Sequence, residues 1–278
     1  MAPELALDVT GVRVRFGGVV AVDGVDLPVA AGEVVGIIGP NGAGKTTLLD
    51  AVSGFASLDA GRVVLGGVDV TRELPYRRAR RGLARSFQDA RLFPTLTVRE
   101  TLLGAFHPSF ATGTLSEALT LAPARREERA AAASVEELLG MVDLDRYLDY
   151  RISELSFGTT RAVELAWLAA RRPSVMLLDE PASGLQQSEV RALGALINRI
   201  RRGAAVVLID HDVPFVAGLV HRLMAMNLGE VVADGPVDDV LAHEAVIESY
   251  LGGTEYGAVS EPASVASAGE NSGAEHRA

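Results

Sequence analysis

The sequence predicts an α/β fold with an antiparallel β region near its N-terminal end and a helical subdomain inserted into the core. One observation is a set of short, β-branched apolar runs: VVGII at 34–38, VMLL at 175–178 and AAVVLI at 204–209. Such runs, bounded by glycine, proline or charge, are typical of parallel strands covered on both faces. A second observation is that helix-like segments alternate with these runs, which indicates an α/β core.

Glycine-punctuated strands predict the N-terminal β region. LDVTGVRVRFGG at 7–18 and GRVVLGGVDVT at 61–71 combine β-branched residues with glycine turns. This pattern favours short, twisted strands that fold back on one another.

A helical subdomain is predicted from about 98 to 158. This stretch is rich in Ala, Arg and Glu, and it carries apolar residues at helical spacing, namely Val135, Leu138, Leu139 and Val142. We expect the folded domain to span residues 5–252. Residues 253–278 are mostly Ser, Ala, Gly and Glu, and they predict a disordered tail because few large apolar side chains can offset the entropy of ordering.

Composition excludes several functional classes. A net charge of -10 disfavours nonspecific binding to nucleic acid or anionic lipid over a whole face. The chain has no cysteine, which excludes disulfides, iron-sulfur clusters and thiolate zinc sites, and its five histidines lack paired metal-ligand spacing. The apolar runs are far shorter than the roughly 20 residues that span a bilayer, and the N-terminus lacks an export-signal pattern. We therefore expect a chain that stays in the cytoplasm and does not cross a membrane by itself.

The stretch GPNGAGKTT at 39–47 predicts a phosphate-binding loop. Gly39, Gly44, Lys45 and Thr46 complete the pattern G-x-x-x-x-G-K-[ST], between the strand-like EVVGII and the helix-like TTLLDAVSG. Lys45 is the only lysine among 26 basic residues. A compact ammonium on a thin stem can reach phosphate oxygens inside a narrow loop that the planar arginine fork would not enter.

Further residues of this loop are candidate nucleotide contacts, and they are Asn41, Gly42 and Thr47. The hydroxyl of Thr46 is a candidate Mg²⁺ ligand. The alternative is a glycine turn that only looks like a phosphate loop.

The run RRPSVMLLDEP at 171–181 predicts a buried strand that ends in two carboxylates, Asp179 and Glu180. An aspartate at the carboxyl end of a parallel strand is placed to hold Mg²⁺, directly or through water, and the next carboxylate can orient an attacking water. The alternatives are a helix-capping role for Asp179 and a solvated position for Glu180.

A second candidate anion site is LSFGT at 155–159, where Ser156 and Gly158 open the helix-like TRAVELAWLAARR. This segment resembles the LSGGQ or LSYGQ signature of the ATP-binding cassette (ABC) family. The resemblance covers about residues 7–252 and includes SGLQ at 183–186. It implies a P-loop NTPase core and an ATPase that uses ATP and Mg²⁺.

The same resemblance implies roles for three more residues. Phe16 matches the aromatic residue that stacks on adenine, Gln88 the residue that senses Mg²⁺ and the attacking water, and His211 the residue that holds the γ phosphate. Glu180 would then polarise the water. Taken alone, each would more often have a structural role, with Phe16 as ordinary core, Gln88 as a surface amide and His211 as a helix cap; taken together, they favour the functional roles.

Family resemblance also implies partners. Two cassettes face head to tail, so that ATP held by the Lys45 loop of one is covered by Ser156 and Gly158 of the other. The family works with two membrane permeases and an external solute-binding protein, which implies a position at the cytoplasmic face of the membrane.

The segment around RRGLARSFQDARLF is similar to the cassettes of bacterial branched-chain amino acid importers. Importers of urea, amides or other small solutes are an alternative, as are a soluble cassette that acts on nucleic acid and a regulatory ATP binder without turnover. The arginine cluster RRARRGLAR could be a nucleic-acid patch, although an acidic chain without interleaved aromatics favours a solvated or partner-contacting face.

Three residues depart from the family pattern: Thr159 stands in place of glutamine, Trp167 in place of arginine, and Gln186 in place of Asp or Asn. We expect these changes on the face that closes on a partner's nucleotide, with slower hydrolysis at one of two composite sites.

Overall fold

The computed structural model describes residues 4–87, 92–105, 135, 138–140, 142–201 and 203–251. Its strands are β1 (Leu5–Phe16), β2 (Val19–Ala30), β3 (Val34–Ile38), β4 (Ala60–Leu65), β5 (Val68–Asp69), β6 (Leu83–Arg85), β7 (Val175–Asp179), β8 (Ala205–Ile209), β9 (Arg222–Asn227) and β10 (Glu230–Gly235). Its α-helices are α1 (Lys45–Ser53), α2 (Pro75–Arg80), α3 (Val98–Gly104), α4 (Phe157–Ala170), α5 (Gln187–Ile200), α6 (Val213–Ala217), α7 (Val237–Leu241) and α8 (Glu244–Leu251).

The larger sheet has six strands in the order β10-β9-β3-β8-β7-β6. All neighbouring pairs from β9 to β6 are parallel, and β10 joins the edge antiparallel to β9. Every residue of β3, β7 and β8 is buried, as expected for central parallel strands with elements packed on both faces. This sheet brings distant carboxyl ends together, since Ile209 pairs with both Ile37 and Asp179.

The smaller sheet is antiparallel and has the order β2-β1-β4-β5. Its strands are the two glycine-punctuated stretches predicted near the N-terminus together with the intervening β2. The α/β fold class with an N-terminal antiparallel β region is thereby confirmed.

The central sheet separates two hydrophobic clusters, because alternate side chains of a strand point to opposite faces. Val35 and Ile37 of β3 pack with α1 and the antiparallel sheet. Val34 and Ile38 of the same strand pack on the other side with α3, α4 and α5. The phosphate loop, which leaves β3, is therefore held by a strand that belongs to both clusters.

The helical subdomain is described only in part. The four residues predicted at helical spacing, Val135, Leu138, Leu139 and Val142, are all buried in the cluster that contains α4. Both predicted boundaries of this subdomain, at about 98 and 158, fall on described residues, but most of the stretch between them and the tail at 253–278 lie outside the described ranges. Within those ranges, no helix combines the length and the apolar character needed to cross a membrane.

Candidate functional site

The loop between β3 and α1 is shaped by two glycines that no other residue can replace without displacement. Gly44 precedes α1 with a φ of 97°, and a Cβ there would lie 2.2 Å from the carbonyl oxygen of Ala21. Gly39 has a φ of 151°, and its Cβ would lie 2.1 Å from the carbonyl oxygen of Met226. These close approaches to β2 and β9 fix the path of the loop, so that the amides at the start of α1 face outward toward an anion.

Lys45 lies inside this loop with 6% of its surface exposed. Its Nζ donates to the carbonyl oxygens of Gly39 at 2.7 Å and Pro40 at 3.0 Å. Burial lowers the pKa of Lys45, and the nearby charges of Glu180 and Asp179 oppose that shift. Anionic phosphate oxygens compete well for such an ammonium because charge-assisted hydrogen bonds are stronger than those to neutral carbonyls.

Asp179 ends β7 and is buried. Its Oδ1 lies 3.5 Å from the hydroxyl of Thr46, which connects two segments 133 residues apart. Its backbone N–H donates to Ser86 Oγ at 3.0 Å. Burial raises the pKa of Asp179, and the Arg85 guanidinium opposes that shift. The hydroxyl and carboxylate oxygens are hard donors of the kind that suit Mg²⁺ together with phosphates and water.

Arg85 is a residue of this site that the sequence analysis did not identify. Its side chain is 6% exposed and donates hydrogen bonds to three side chains: Asp50 Oδ1 at 2.6 Å, Ser53 Oγ at 2.6 Å and Asp179 Oδ2 at 3.3 Å. The guanidinium therefore joins β6, α1 and β7 and holds one oxygen of Asp179 while the other faces Thr46. Arg85 is the first residue of RSFQ at 85–88. The sequence gave no signal for its role, because its contacts form only when the sheet is folded.

Glu180 and His211 meet directly after β7 and β8. His211 Nε2 lies 2.9 Å from Glu180 Oε1. Glu180 has a φ of 48°, and its amide donates to the carbonyl oxygen of Ile209 at 2.8 Å. A positive φ is uncommon outside glycine and carries a strain that the surroundings must hold. The two neighbouring strand ends therefore present one carboxylate and one imidazole to the same space.

Asp210 is a second buried residue that the sequence analysis missed. Its Oδ2 accepts from the amide of Ala182 at 2.8 Å, and its Oδ1 accepts from the amide of Asp212 at 3.1 Å. It thus ties the loop after Glu180 to the loop that carries His211. Burial raises the pKa of Asp210, and hydrogen bonds from backbone amides oppose that shift. An acid directly after an apolar run was the available sequence signal.

Phe16 lies at the end of β1, opposite Val19 in the β1–β2 hairpin, and 58% of its surface is exposed. The same hairpin contains Ala21, whose carbonyl oxygen borders Gly44. An exposed aromatic ring is therefore available at the hairpin that flanks the phosphate loop. Gln88, by contrast, lies outside the described residues.

Ser156 and Gly158 begin α4. Ser156 caps this helix by accepting from the amide of Thr159 at 3.2 Å, and a Cβ at Gly158 would lie 2.5 Å from Glu189 Oε1. No hydrogen bond or ion pair among the described residues connects Ser156 or Gly158 with the loop of Lys45. The chain therefore presents two separate candidate anion sites.

Two of the departures from the family pattern, one in the signature and one in the loop after Glu180, lie near this turn. Thr159 is in the first turn of α4, with its hydroxyl 2.9 Å from Ser156 Oγ. Gln186 is the N-cap residue of α5, and its backbone N–H donates to Glu189 Oε2 at 3.0 Å. The expectation for Trp167 is wrong: it lies ten residues into α4, roughly 15 Å along the axis from Phe157, and it lines a groove with Arg85 and Phe87.

That groove has a volume of about 500 Å³ and is lined by residues from α2, β6 and α4. Its walls combine exposed aromatic rings, Phe55 and Tyr76, with the arginines Arg80 and Arg171. We call this surface the α2–α4 groove. It reaches Arg85, and through Arg85 it adjoins Asp179.

Comparison with known proteins defines the class. A family model for ABC transporters matches residues 22–183. A model described as a branched-chain amino acid ATP-binding cassette transporter matches residues 230–256. The chain belongs to the ABC transporter family and, with its relatives, to the ATP-binding subunits of the branched-chain amino acid type.

Individual relatives agree with this placement. BraF of Pseudomonas aeruginosa, a high-affinity branched-chain amino acid transport ATP-binding protein, is 37% identical over 248 residues, which are 88% of this chain and 97% of the relative. LivG of Escherichia coli K12, which has the same description, is 35% identical over the same shares of the two chains. The ADP conformation of MJ1267, an ATP-binding cassette of an ABC transporter, superposes with a TM-score of 0.76 at 28% identity, covering 89% of this chain and 99% of that one. The chain is accordingly an ATP-binding, ATP-hydrolysing subunit.

Proposed function

We propose that this chain powers the uptake of branched-chain amino acids as the ATPase subunit of an importer, at the cytoplasmic face of the membrane. The observation that carries the proposal is the convergence of the Lys45 loop, Asp179 and the Glu180–His211 pair at the carboxyl ends of β3, β7 and β8. The names of BraF and LivG support the choice of solute.

ATP binding begins with the triphosphate in the loop. In this proposal the backbone amides at the start of α1 and the ammonium of Lys45 contact its oxygens, and Lys45 exchanges the carbonyls of Gly39 and Pro40 for phosphate. Phe16 stacks on the adenine. Asn41, Gly42, Thr46 and Thr47 complete the contacts.

Hydrolysis transfers the γ phosphoryl group to water. The water oxygen attacks the γ phosphorus, the bond to the β–γ bridging oxygen breaks, and ADP leaves. Glu180 orients the water and accepts its proton, and His211 turns from Glu180 to the γ phosphate. Their separation of 2.9 Å supports this assignment because both side chains already face one reaction space.

Mg²⁺ would be held by Thr46 and Asp179 through oxygen donors, and Gln88 is a further candidate ligand. The cation would neutralise charge on the β and γ phosphate oxygens. Arg85 fixes the remaining oxygen of Asp179 and thereby keeps the other directed at Thr46.

A second cassette, identical or different, completes each ATP site. Its Ser156–Gly158 turn would cover the nucleotide held by this chain's Lys45 loop. The separation of the two anion sites within one chain supports this head-to-tail arrangement, because neither site alone surrounds a triphosphate.

The membrane partners are two permease subunits, which in turn meet an external solute-binding protein. We assign the α2–α4 groove to the permease, since exposed aromatic rings such as Phe55 and Tyr76 next to charged residues are typical of interaction surfaces. This assignment would put the permease beside Arg85.

The nucleic-acid alternative is disfavoured by how the arginine cluster folds. Arg78 is buried and donates to four backbone carbonyls, of Glu73, Ala51, Val52 and Thr71. Arg81 pairs with Glu73 at 2.7 Å, and Arg85 is buried against carboxylates. Few of these cations are left to contact phosphates of a nucleic acid.

The first test is nucleotide binding by the purified full chain with Mg²⁺, measured with a fluorescent ATP analogue. Wild type binds, and Lys45→Ala binds much more weakly, whereas Arg81→Met, which removes an exposed arginine distant from the loop, binds like wild type. Equal affinity of wild type and Lys45→Ala would reject the phosphate-loop assignment.

The second test names the solute. Proteoliposomes that contain the permeases and this chain, with ATP on the side of the chain and the binding protein outside, are offered labelled leucine, valine, urea and acetamide. Uptake of leucine or valine that requires ATP supports the proposal. Uptake of urea or acetamide alone would contradict the assignment of branched-chain amino acids as the solute, but it would agree with the role as a transport ATPase.

A further inference from the structure

A buried ion pair on α4 is unexplained by the site described so far. Arg161 Nη1 lies 2.7 Å from Glu164 Oε2, one helical turn away, and the two side chains are 1% and 6% exposed. Their neighbours Val163 and Leu165 are fully buried. Removing two charges from water is costly, and a packed apolar pair often serves stability equally well or better. The pair therefore calls for a role other than stability.

Both members of the pair contact the backbone of one residue, Phe87. Arg161 Nη1 donates to the carbonyl oxygen of Phe87 at 3.1 Å. The amide of Phe87 donates to Glu164 Oε1 in a longer contact of 3.5 Å. Phe87 is thus held on both sides of its Cα by side chains of the helix that begins with Ser156.

The residue before Phe87 contacts β7. Ser86 is 1% exposed, and its hydroxyl accepts from the amide of Asp179 at 3.0 Å. Ser86 and Phe87 therefore connect β7, which carries Asp179 and is followed by Glu180, to α4, which carries the Ser156–Gly158 turn. We call Ser86, Phe87, Arg161 and Glu164 the α4 clamp.

We propose that Arg161 and Glu164 are positioning residues that make α4 and the Asp179 strand end move as one unit. The inference rests on the proposed function, in which Asp179 serves the nucleotide of its own chain and Ser156 serves the nucleotide of the neighbouring cassette. The clamp then sets the distance and angle between a chain's two half-sites. Its loss leaves each half-site intact but lets one shift against the other.

The decisive variant is the double substitution Arg161→Met with Glu164→Leu. It removes both charges and both contacts with Phe87 while keeping similar side-chain volumes, and apolar replacement of a buried pair commonly preserves stability. Either substitution alone leaves a buried charge without its counter-ion and is expected to destabilise the chain. The matched control is Arg81→Met with Glu73→Leu, which removes an ion pair between residues on either side of α2 that does not contact Phe87.

Three measurements on the full chain separate positioning from stability. In the double variant, thermal unfolding and the affinity for the ATP analogue stay within about twofold of wild type. Hydrogen exchange of the Phe87 amide is faster, by about tenfold or more. With Glu180→Gln present to prevent turnover, ATP-driven pairing of the double variant requires about tenfold more ATP than pairing of the control.

A double variant that folds, keeps slow exchange at Phe87 and pairs like the control would overturn the inference. If the double variant does not fold, Arg161→Gln with Glu164→Gln is the deciding variant. It also removes both charges together, so that no buried charge is left without its counter-ion, and it replaces the charge-assisted hold on Phe87 with neutral amides. Pairing that matches wild type would overturn the inference in the same way. Failure of wild type to bind ATP would reject the proposed function instead. Hydrogen exchange of the Phe87 amide would still test whether Arg161 and Glu164 hold Phe87 in place.

Discussion

The backbone conformation of Glu180 sets the direction of its side chain. Its φ of 48° would suit glycine or asparagine better, and the hydrogen bond from its amide to Ile209 holds it there. The consequence is a carboxylate aimed at His211 and not along the strand. A strained backbone at this position is consistent with its proposed role as the group that orients water.

We predict that Glu180→Gln abolishes most turnover but leaves ATP binding intact. Glutamine keeps the size of the side chain and an oxygen near His211, but it cannot accept a proton, and loss of such a group costs about 10² to 10⁴ in rate. Single-turnover hydrolysis and nucleotide retention on a desalting column measure the two effects. Repeated turnover at the wild-type rate would contradict the assignment.

Arg85 is expected to matter for folding as well as for the site. Arg85→Met leaves Asp179 buried beside Glu180 without its counter-ion, and removing one member of a buried pair lowers the free energy of unfolding by about 3 kcal/mol. Urea denaturation measures this change. Arg81→Met is the control, because its exposed pair with Glu73 contributes little. Equal stability of the two variants would show that Arg85 is dispensable for folding.

At the scale of the element, helix starts in this chain are specified locally. Before α3, Thr97 Oγ1 accepts from the amide of Glu100 at 3.2 Å, and Glu100 Oε2 accepts from the amide of Thr97 at 2.8 Å. This reciprocal capping satisfies two backbone donors that the helix itself cannot. The cap thereby fixes the direction in which the chain enters α3, whose Val98 and Leu102 pack in the cluster that contains α4 and α5.

The Thr97 cap predicts a pH dependence. Hydrogen bonds from the backbone and side chain of Thr97 lower the pKa of Glu100 below its ordinary value. A carboxyl group of this kind stabilises the fold above its unfolded pKa and loses that contribution as the pH falls through its folded pKa. The stability difference between wild type and Glu100→Gln, measured by urea denaturation, is therefore largest near pH 7 and shrinks below about pH 4. A difference independent of pH would contradict the shift.

Strands and motifs with local signals could be predicted, whereas roles created by packing could not. The strands β3, β7 and β8 stand out because β3 and β8 are wholly apolar runs and β7 is apolar up to its final Asp179, and the Lys45 loop follows a fixed spacing. The two-residue strand β5 and the three-residue strand β6 form only by pairing with longer neighbours. Arg85 and Arg161 acquire their partners Asp179 and Phe87 from segments distant in sequence, so no spacing marks these contacts. Asp210 follows an apolar run and the Arg161–Glu164 pair has helical spacing, but neither signal shows which distant backbone these side chains hold.

At the scale of the whole molecule, the central sheet works as a partition. The cluster on one side includes α1 and the antiparallel sheet, and the cluster on the other includes α4 and α5. The proposed nucleotide-binding loop and the proposed partner-facing turn therefore belong to different packing units. Contacts that cross between them, such as the α4 clamp, are the places where one unit can influence the other.

The α2–α4 groove carries a prediction about assembly. Tyr76→Glu changes an exposed side chain of the groove, so we expect normal folding, unchanged affinity for ATP and loss of co-purification with the permeases. Arg191→Glu is the control, since Arg191 lines a separate groove between α5 and α6. Loss of the permeases from the control but not from Tyr76→Glu would move the docking surface to that second groove.

The burial of Lys45 has a practical consequence because no other side chain of the sequence carries an ε-amine. Amine-selective acylation should modify lysine at a single position, slowly, since that amine is 6% exposed and bonded to the loop. A bound triphosphate would shield it further. The fraction of the Lys45 peptide that carries the added mass would then report how much of the phosphate loop is occupied by nucleotide. The measurement would use the natural sequence, with no tag, dye or engineered residue.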